Sequence, residues 1–270
     1  KRALKAGKYA IFADCGLGKT FMQLEWASQV VTNTGEPVLI LCPLAVSGQT
    51  INEGDRFGST VSRNIKDAKS MAGIYISNYE QLENIDCSVF SGVVLDESSI
   101  LKNYSGAYKT LILELFERTK YKLACTATPS PNDELEIGNH AEFLKVMTSQ
   151  DMRAIYFTTD KEIIKGEKYR LKRYAEKDFY QWISTWAVMI SKPSDLGFED
   201  TGYKLPELNY IEKSIITNSR DNGLLFNSVS VSATNFNDEL RITKIERLSQ
   251  VAEIVNNSKE NFIIWIKQNE

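Results

Sequence analysis

The sequence predicts an α/β fold built on a central parallel sheet, and three observations carry that prediction. Short apolar runs alternate with amphipathic helix patterns through residues 1–148. The runs are continuous rather than alternating, as expected for strands whose two faces are both covered by helices. A glycine-rich loop joins the first run to the first long helix pattern, a junction typical of a phosphate-binding α/β domain.

The first strand is expected at Tyr9–Ala13, followed by the loop Ala13-Asp14-Cys15-Gly16-Leu17-Gly18-Lys19-Thr20. Phe21, Leu24, Ala27, Val30 and Val31 then recur at helical spacing, which predicts a helix over Thr20–Val31. Polar punctuation from Thr32 to Pro37 ends it. Further strands are expected at Val38–Cys42, Gly73–Ser77, Val93–Asp96 and Lys122–Thr126, with helices at Tyr104–Arg118 and Leu135–Met147. Together these make a domain over residues 1–148.

Residues 149–205 have a different texture and read as a helical, basic extension with a connector. Lys161, Lys165, Lys168, Arg170, Lys172, Arg173 and Lys177 are interspersed with acids and with aromatic residues. Leu171, Tyr174, Phe179, Trp182 and Trp186 fall near one helical face, so they are expected in a core with the basic residues outward. Residues 191–209 are rich in Pro, Gly and Asp and read as irregular. Residues 206–270 are expected to hold a linker, a helix carrying Ile242, Ile245, Leu248, Val251, Ile254 and Val255, and a strand at Phe262–Ile266. That last segment reads as the start of a second, incomplete domain.

Composition removes several function classes. The chain has 270 residues, 43% of them apolar, and no run long enough to span a bilayer, so no membrane partner is expected. Cys15, Cys42, Cys87 and Cys125 are scattered, and His140 is the only histidine. A zinc site or disulfide framework is therefore not expected, and reduced cytoplasmic thiols are. His140 is given no role beyond an ordinary surface or packing position. A net charge of −3 gives no global pull on nucleic acid, so any polyanion site must be local.

Three short segments carry chemistry. Gly16 and Gly18 let the backbone curl so that its N–H groups, with that of Leu17, point at an anion. Lys19 supplies a point charge for the β- and γ-phosphates, and the Thr20 hydroxyl a ligand for Mg²⁺. This predicts ATP and Mg²⁺ as cofactors, with no other metal. Gly92-Val93-Val94-Leu95-Asp96-Glu97 places two carboxylates at the carboxyl end of a strand, where open α/β sheets bind ligands. Asp96 is expected to hold Mg²⁺, and Glu97 to orient and deprotonate the attacking water. Cys125-Thr126-Ala127-Thr128-Pro129 ends another strand and offers two hydroxyls where a nucleotide site and a polymer site could communicate.

Taken together these segments resemble the first motor domain of a superfamily-two DEAD/DEAH-like helicase. Ala13-x-x-Gly16-x-Gly18-Lys19-Thr20 is similar to motif I, Asp96-Glu97-Ser98-Ser99 to motif II and Thr126-Ala127-Thr128 to motif III. The resemblance is closer to the Swi/Snf-type and prophage-type branches. It is carried by Leu41-Cys42-Pro43-Leu44-Ala45-Val46, Ile76-Ser77-Asn78-Tyr79, Ile100-Leu101-Lys102-Asn103, Trp186-Ala187-Val188, Lys192 to Gly197 and Phe262 to Asn269.

The resemblance implies a RecA-like P-loop domain, then a helical extension and the beginning of a second RecA-like domain. It implies ATP hydrolysis coupled to movement on DNA, duplex rather than single-stranded. Lys19, Asp96 and Glu97 would be catalytic; Pro43, Tyr79, Lys102, Asn103 and Thr128 would meet the polymer. Ser99, Thr126 and Thr128 would couple the two sites, although Ser98-Ser99 departs from the usual end of motif II. The adenine-contacting glutamine motif would lie before Lys1 and the arginine fingers after Glu270, so this segment is expected to bind ATP–Mg²⁺ but hydrolyse it weakly alone. The setting implied is the cytoplasm of a bacterial or phage-infected cell, within a larger complex. An RNA helicase, or an ATP-gated nucleic-acid-binding switch in such a complex, are the rival readings.

Overall fold

The computed structural model describes residues 1–102, 106–160, 168–204, 206–214, 240–241 and 243–265. Two compact units are present, Lys1–Lys204 and Leu205–Glu270.

The first unit holds a seven-stranded sheet in which every pairing is parallel. Its strands are β1 (Lys8–Ala13), β2 (Val38–Cys42), β3 (Val61–Ser62), β4 (Ile74–Asn78), β5 (Gly92–Asp96), β6 (Tyr121–Thr126) and β7 (Ala187–Ile190). The spatial order is β3-β4-β2-β5-β6-β1-β7. The five expected strands are all present. β3 and β7 are additional edge strands; β3 has only two residues, and β7, though apolar throughout, follows a helix directly. Residues 187–190 thus join the same sheet as the strands of 1–148, with Ala10 to Ala13 opposite Ala187 to Ile190.

Alternate residues along each strand feed two cores. Phe12, Leu39, Leu41, Val93, Leu95 and Ala124 face one side, where they meet Ile112, Phe116, Ala141, Phe143 and Trp186. Tyr9, Ile11, Val38, Ile40, Val94 and Leu123 face the other, against Leu24, Trp26, Ala27 and Val30. Those last four lie on α2 (Lys19–Thr34), which is preceded by Gly18 and stopped by Gly35, both left-handed; the Gly35 N–H donates to Val31 O at 2.8 Å. The first core is closed by α4 (Ala107–Leu115), α5 (Ile137–Phe143), α6 (Ser149–Tyr156) and α7 (Glu176–Trp186); α1 (Arg2–Ala6) and α3 (Ser47–Arg56) complete the first unit's helices among the described residues.

The 149–205 segment departs from the single helical face expected of it. Lys168–Leu171 is a strand, antiparallel to Phe157–Asp160, and the helix starts only at Glu176. Phe179, Ile183 and Trp186 are its buried stripe and Trp182 packs partly against it, whereas Leu171 reaches the core from the strand and Tyr174 is 83% exposed. Lys172 closes a helix end instead of lying on an outward basic face. Its Nζ donates to the carbonyls of Ala154 and Ile155 at 2.9 and 2.8 Å, satisfying groups at the end of α6. Residues 161–167 of the expected basic face lie outside the described residues.

In the second unit a helix is present at Lys244–Asn256, carrying Ile245, Leu248, Val251, Ile254 and Val255 of the expected pattern; Ile242 lies outside the described residues. Phe262 to Trp265 form no strand. A strand requires a neighbouring backbone to pair with, and none of the described residues supplies one there.

Candidate functional site

Because the sheet is parallel throughout, the carboxyl ends of β1, β5 and β6 open on one edge, side by side. That edge gathers the three chemical segments. The loop after β1 turns on Gly16 and Gly18, at φ 79° and 76°, a left-handed backbone that other residues rarely adopt. Lys19 is the first residue of α2, and its Nζ donates to the Ala13 and Asp14 carbonyls at 3.0 and 3.2 Å, which holds the ammonium back over the loop. The loop is further braced by the Cys15 N–H donating to Asp14 Oδ1 at 2.7 Å and by the Asp14 N–H donating to Ile190 O at 2.9 Å. The second of these ties the loop to the edge strand β7.

Asp96 ends β5 and is nearly buried. Burial is the main cause that pushes its carboxyl above the usual carboxylate range; a bond from Gln23 opposes this, and the neighbouring Glu97 adds to it. The Gln23 side-chain amide donates to Asp96 Oδ1 at 2.6 Å from inside the protein. The Tyr79 hydroxyl donates to the Asp96 carbonyl at 2.6 Å from the other side. Both the side chain and the backbone of Asp96 are therefore held before any ligand arrives.

Glu97 follows at φ 51°, left-handed for a residue with a Cβ. Such positions cost of order 1–3 kcal/mol and recur where structure serves function. The conformation swings the Glu97 side chain to β6, where Thr126 Oγ1 donates to Glu97 Oε2 at 3.3 Å. Thr126 Oγ1 in turn accepts the Thr128 N–H at 3.1 Å.

No protein-family model matches the chain, and no curated protein matches it. Solved structures do. The SWI2/SNF2 ATPase core of Sulfolobus solfataricus in complex with double-stranded DNA matches with a TM-score of 0.58 at 21% identity, over 73% of this chain and 43% of that one. The SWI2/SNF2 ATPase core domain of the same organism gives 0.56 at 20% identity, over 72% and 42%. This chain shares its fold with these two ATPase cores. The chain spans less than half the length of these two ATPase cores.

Lys19, Thr20, Asp96, Glu97 and Thr126 come together at one edge of the sheet, while Thr128 sits just beyond them. Pro43 follows β2 on the same edge, and Lys102 is exposed at the end of the turn Ser98–Lys102. Asn103 lies outside the described residues. Tyr79 does not sit where the resemblance puts it: it is 3% exposed, and its hydroxyl is committed to the Asp96 carbonyl. It follows β4, two strands from β5 across β2, and its ring is buried with its hydroxyl on the β5 backbone instead of facing outward.

Of the surface and packing positions expected for His140, the structure shows the packing one. Its ring is fully buried, Nε2 lies 3.0 Å from Ser98 Oγ, and the ring edge meets Phe12 at 5.2 Å between centroids. Burial holds the imidazole neutral, pushed down to about 4. Gln23 and His140 are residues that motif matching passes over. Their signal is a polar side chain on an otherwise apolar helical stripe: Gln23 beside Leu24, Ala27 and Val30, and His140 among Ile137, Ala141 and Phe143.

Proposed function

We propose that this chain is the first motor domain of an ATP-dependent DNA translocase, coupling ATP hydrolysis to movement along duplex DNA. The convergence of Lys19, Asp96 and Glu97 on one sheet edge, with Thr126 bonded to Glu97, is the observation that carries the reading.

The residues fit a nucleotide polyphosphate and one hard cation. The loop offers backbone N–H groups at Gly16 and Gly18 and one ammonium, a donor set for anionic oxygen, while the Leu17 N–H donates to Asp14 O at 3.4 Å and would have to leave it to join them. Thr20 and Asp96 offer oxygen to Mg²⁺, which keeps several waters and binds through one or two such groups. Mg²⁺ supplies neutralisation of phosphate charge in the transition state. Lys19 leaves its two carbonyls to meet the β- and γ-phosphates. Asp96, already fixed by Gln23 and Tyr79, has no side-chain ordering left to undergo on binding. Glu97 accepts a proton from the water whose oxygen attacks the γ-phosphorus as the bond to the departing ADP oxygen breaks.

Pro43, Lys102 and Thr128 form the polymer face of this reading. Such contacts are mostly to phosphate, so they position the chain without reading sequence. Support for duplex DNA comes from the Sulfolobus core, whose described partner is double-stranded DNA. An arginine finger, where one completes such a site, is worth roughly 10³–10⁵ in rate.

The test is steady-state ATP turnover by the full-length protein with and without duplex DNA, beside a Glu97→Gln control. Stimulation of at least ~10-fold that the control abolishes is expected. Stimulation by RNA alone would make this an RNA motor. Nucleotide binding without stimulation by either polymer would make it a gated switch.

A further inference from the structure

We infer that His140 and Asn139, consecutive on α5, are positioning residues that transmit the state of the nucleotide site to the Lys102 segment. The inference rests on the reading of the loop as a nucleotide site and deepens it, because neither side chain bonds to the loop or the catalytic acids, and Asn139 meets Lys102 only at its backbone carbonyl.

The turn Ser98–Lys102 connects the catalytic acid to the exposed lysine. Its two ends are gripped by the same helix. At the first end, Ser98 Oγ and His140 Nε2 are 3.0 Å apart, with both side chains fully buried. At the far end, Asn139 Nδ2 donates to the Lys102 carbonyl at 3.2 Å. Between them the Ile100 N–H donates back to the Glu97 carbonyl at 3.1 Å. The edge of the His140 ring also rests on Phe12, the residue before Ala13 where the phosphate loop begins. One imidazole thus touches the strand that leads into the loop and the residue that follows Glu97.

The grip is itself anchored. Asn139 Oδ1 accepts Lys109 Nζ at 3.0 Å and Ser149 Oγ at 3.4 Å, and Lys109 pairs with Glu142 at 2.7 Å. These bonds tie α5 to α4 and α6 through groups that are mostly out of water, where breaking one leaves a polar atom unsatisfied at a cost of about 1–3 kcal/mol. A displacement of α5 by Phe12 or Ser98 therefore carries Asn139, and with it the Lys102 carbonyl, rather than dissipating in the helix. Packed elements of this kind shift between discrete arrangements instead of deforming smoothly.

A purely structural role and a transmitting role predict different results. Backbone amide exchange over residues 97–102 is followed in this chain with and without ATP–Mg²⁺, in the wild type, Ser98→Ala and His140→Phe. ATP affinity is measured in parallel. In the wild type, ATP–Mg²⁺ is expected to change exchange at Ile100 to Lys102 by at least ~10-fold. In Ser98→Ala, affinity stays within ~3-fold, but the ATP-dependent ratio falls below ~2-fold. His140→Phe keeps the ring on Phe12, loses the bond to Ser98 and shows the same loss.

A merely structural pair would raise exchange in Ser98→Ala equally with and without ATP, leaving the ratio as in the wild type, and that result overturns the inference. If His140→Phe does not fold, Ser98→Ala alone decides. ATP binding to a wild type whose 97–102 amides do not respond also overturns the inference while leaving the nucleotide site standing. A wild type that binds no ATP removes the reading of the loop and this inference with it.

Discussion

Thr126 donates its hydroxyl to Glu97 at 3.3 Å while accepting the Thr128 N–H at 3.1 Å, so one oxygen joins the proposed base to the loop after β6. Thr126→Val keeps the shape and removes both bonds. The expected result is a loss of at least ~10-fold in polymer-stimulated turnover with ATP affinity within ~3-fold, because the bond orients the base rather than holding phosphate. Equal losses in basal and stimulated turnover would assign Thr126 to the chemical step alone.

Gln23 is the only donor side chain bonded to the Asp96 carboxylate among the described residues. Gln23→Met keeps volume on the buried face of α2 and removes that donor. A charge-assisted bond is worth about 1.5–3 kcal/mol, so Mg²⁺-dependent nucleotide affinity should fall at least ~10-fold. The same bond opposes the upward push that burial gives Asp96. A metal ligand must be ionised, so Mg²⁺ dependence should weaken on acidification at a pH above the usual carboxylate range, and at a higher pH still in Gln23→Met. An unmoved midpoint in the variant would contradict the account.

His140 makes stability depend on pH in a defined window. Its ring is held down to about 4 in the folded chain from an ordinary 6.5, so between those values the unfolded chain takes up a proton that the folded chain refuses. Stability is complete above ~6.5 and falls on acidification toward 4, by up to about 3 kcal/mol. Denaturant titrations across that range should show the slope in the wild type and lose most of it in His140→Phe. A slope that persists unchanged would place the titration elsewhere.

Cys15 is the one exposed cysteine; Cys42, Cys87 and Cys125 are buried, and burial pushes the first two up to about 12 and 11. A small thiol-reactive reagent should therefore modify Cys15 first. ATP–Mg²⁺ is expected to slow that modification, since Cys15 lies in the loop between Asp14 and Gly16. Modification at an equal rate with and without nucleotide would argue against phosphate binding at this loop.

Much of the fold was legible because buried parallel strands announce themselves. The runs Val38–Cys42 and Val93–Asp96 are apolar on both faces, and Gly18 and Gly35 mark where α2 begins and ends. β3 was not legible, since two residues leave no apolar run, and the apolar run Ala187–Ile190 of β7 follows α7 without a break, so it reads as more of that helix. The helix expected to include Leu171 and Tyr174 failed because an aromatic-rich strand followed by a helix mimics one helical stripe. That Lys19, Asp96 and Glu97 meet on one edge was legible, because each stands at or just after the carboxyl end of a parallel strand. Tyr79 could not be oriented, because sequence does not say which way a residue leaving a strand turns. Gln23 and His140 act through tertiary contacts with residues 73 and 42 positions away, a distance over which spacing holds no information.

The central claim is that the Gly16–Thr20 loop and Asp96 hold ATP–Mg²⁺, and equilibrium binding of ATP to this chain tests it most directly. The account predicts saturable binding that needs Mg²⁺ and weakens by at least ~10-fold in Lys19→Ala and in Asp96→Asn, with both variants folded. Absence of binding by the wild type, or binding indifferent to both substitutions, would contradict it.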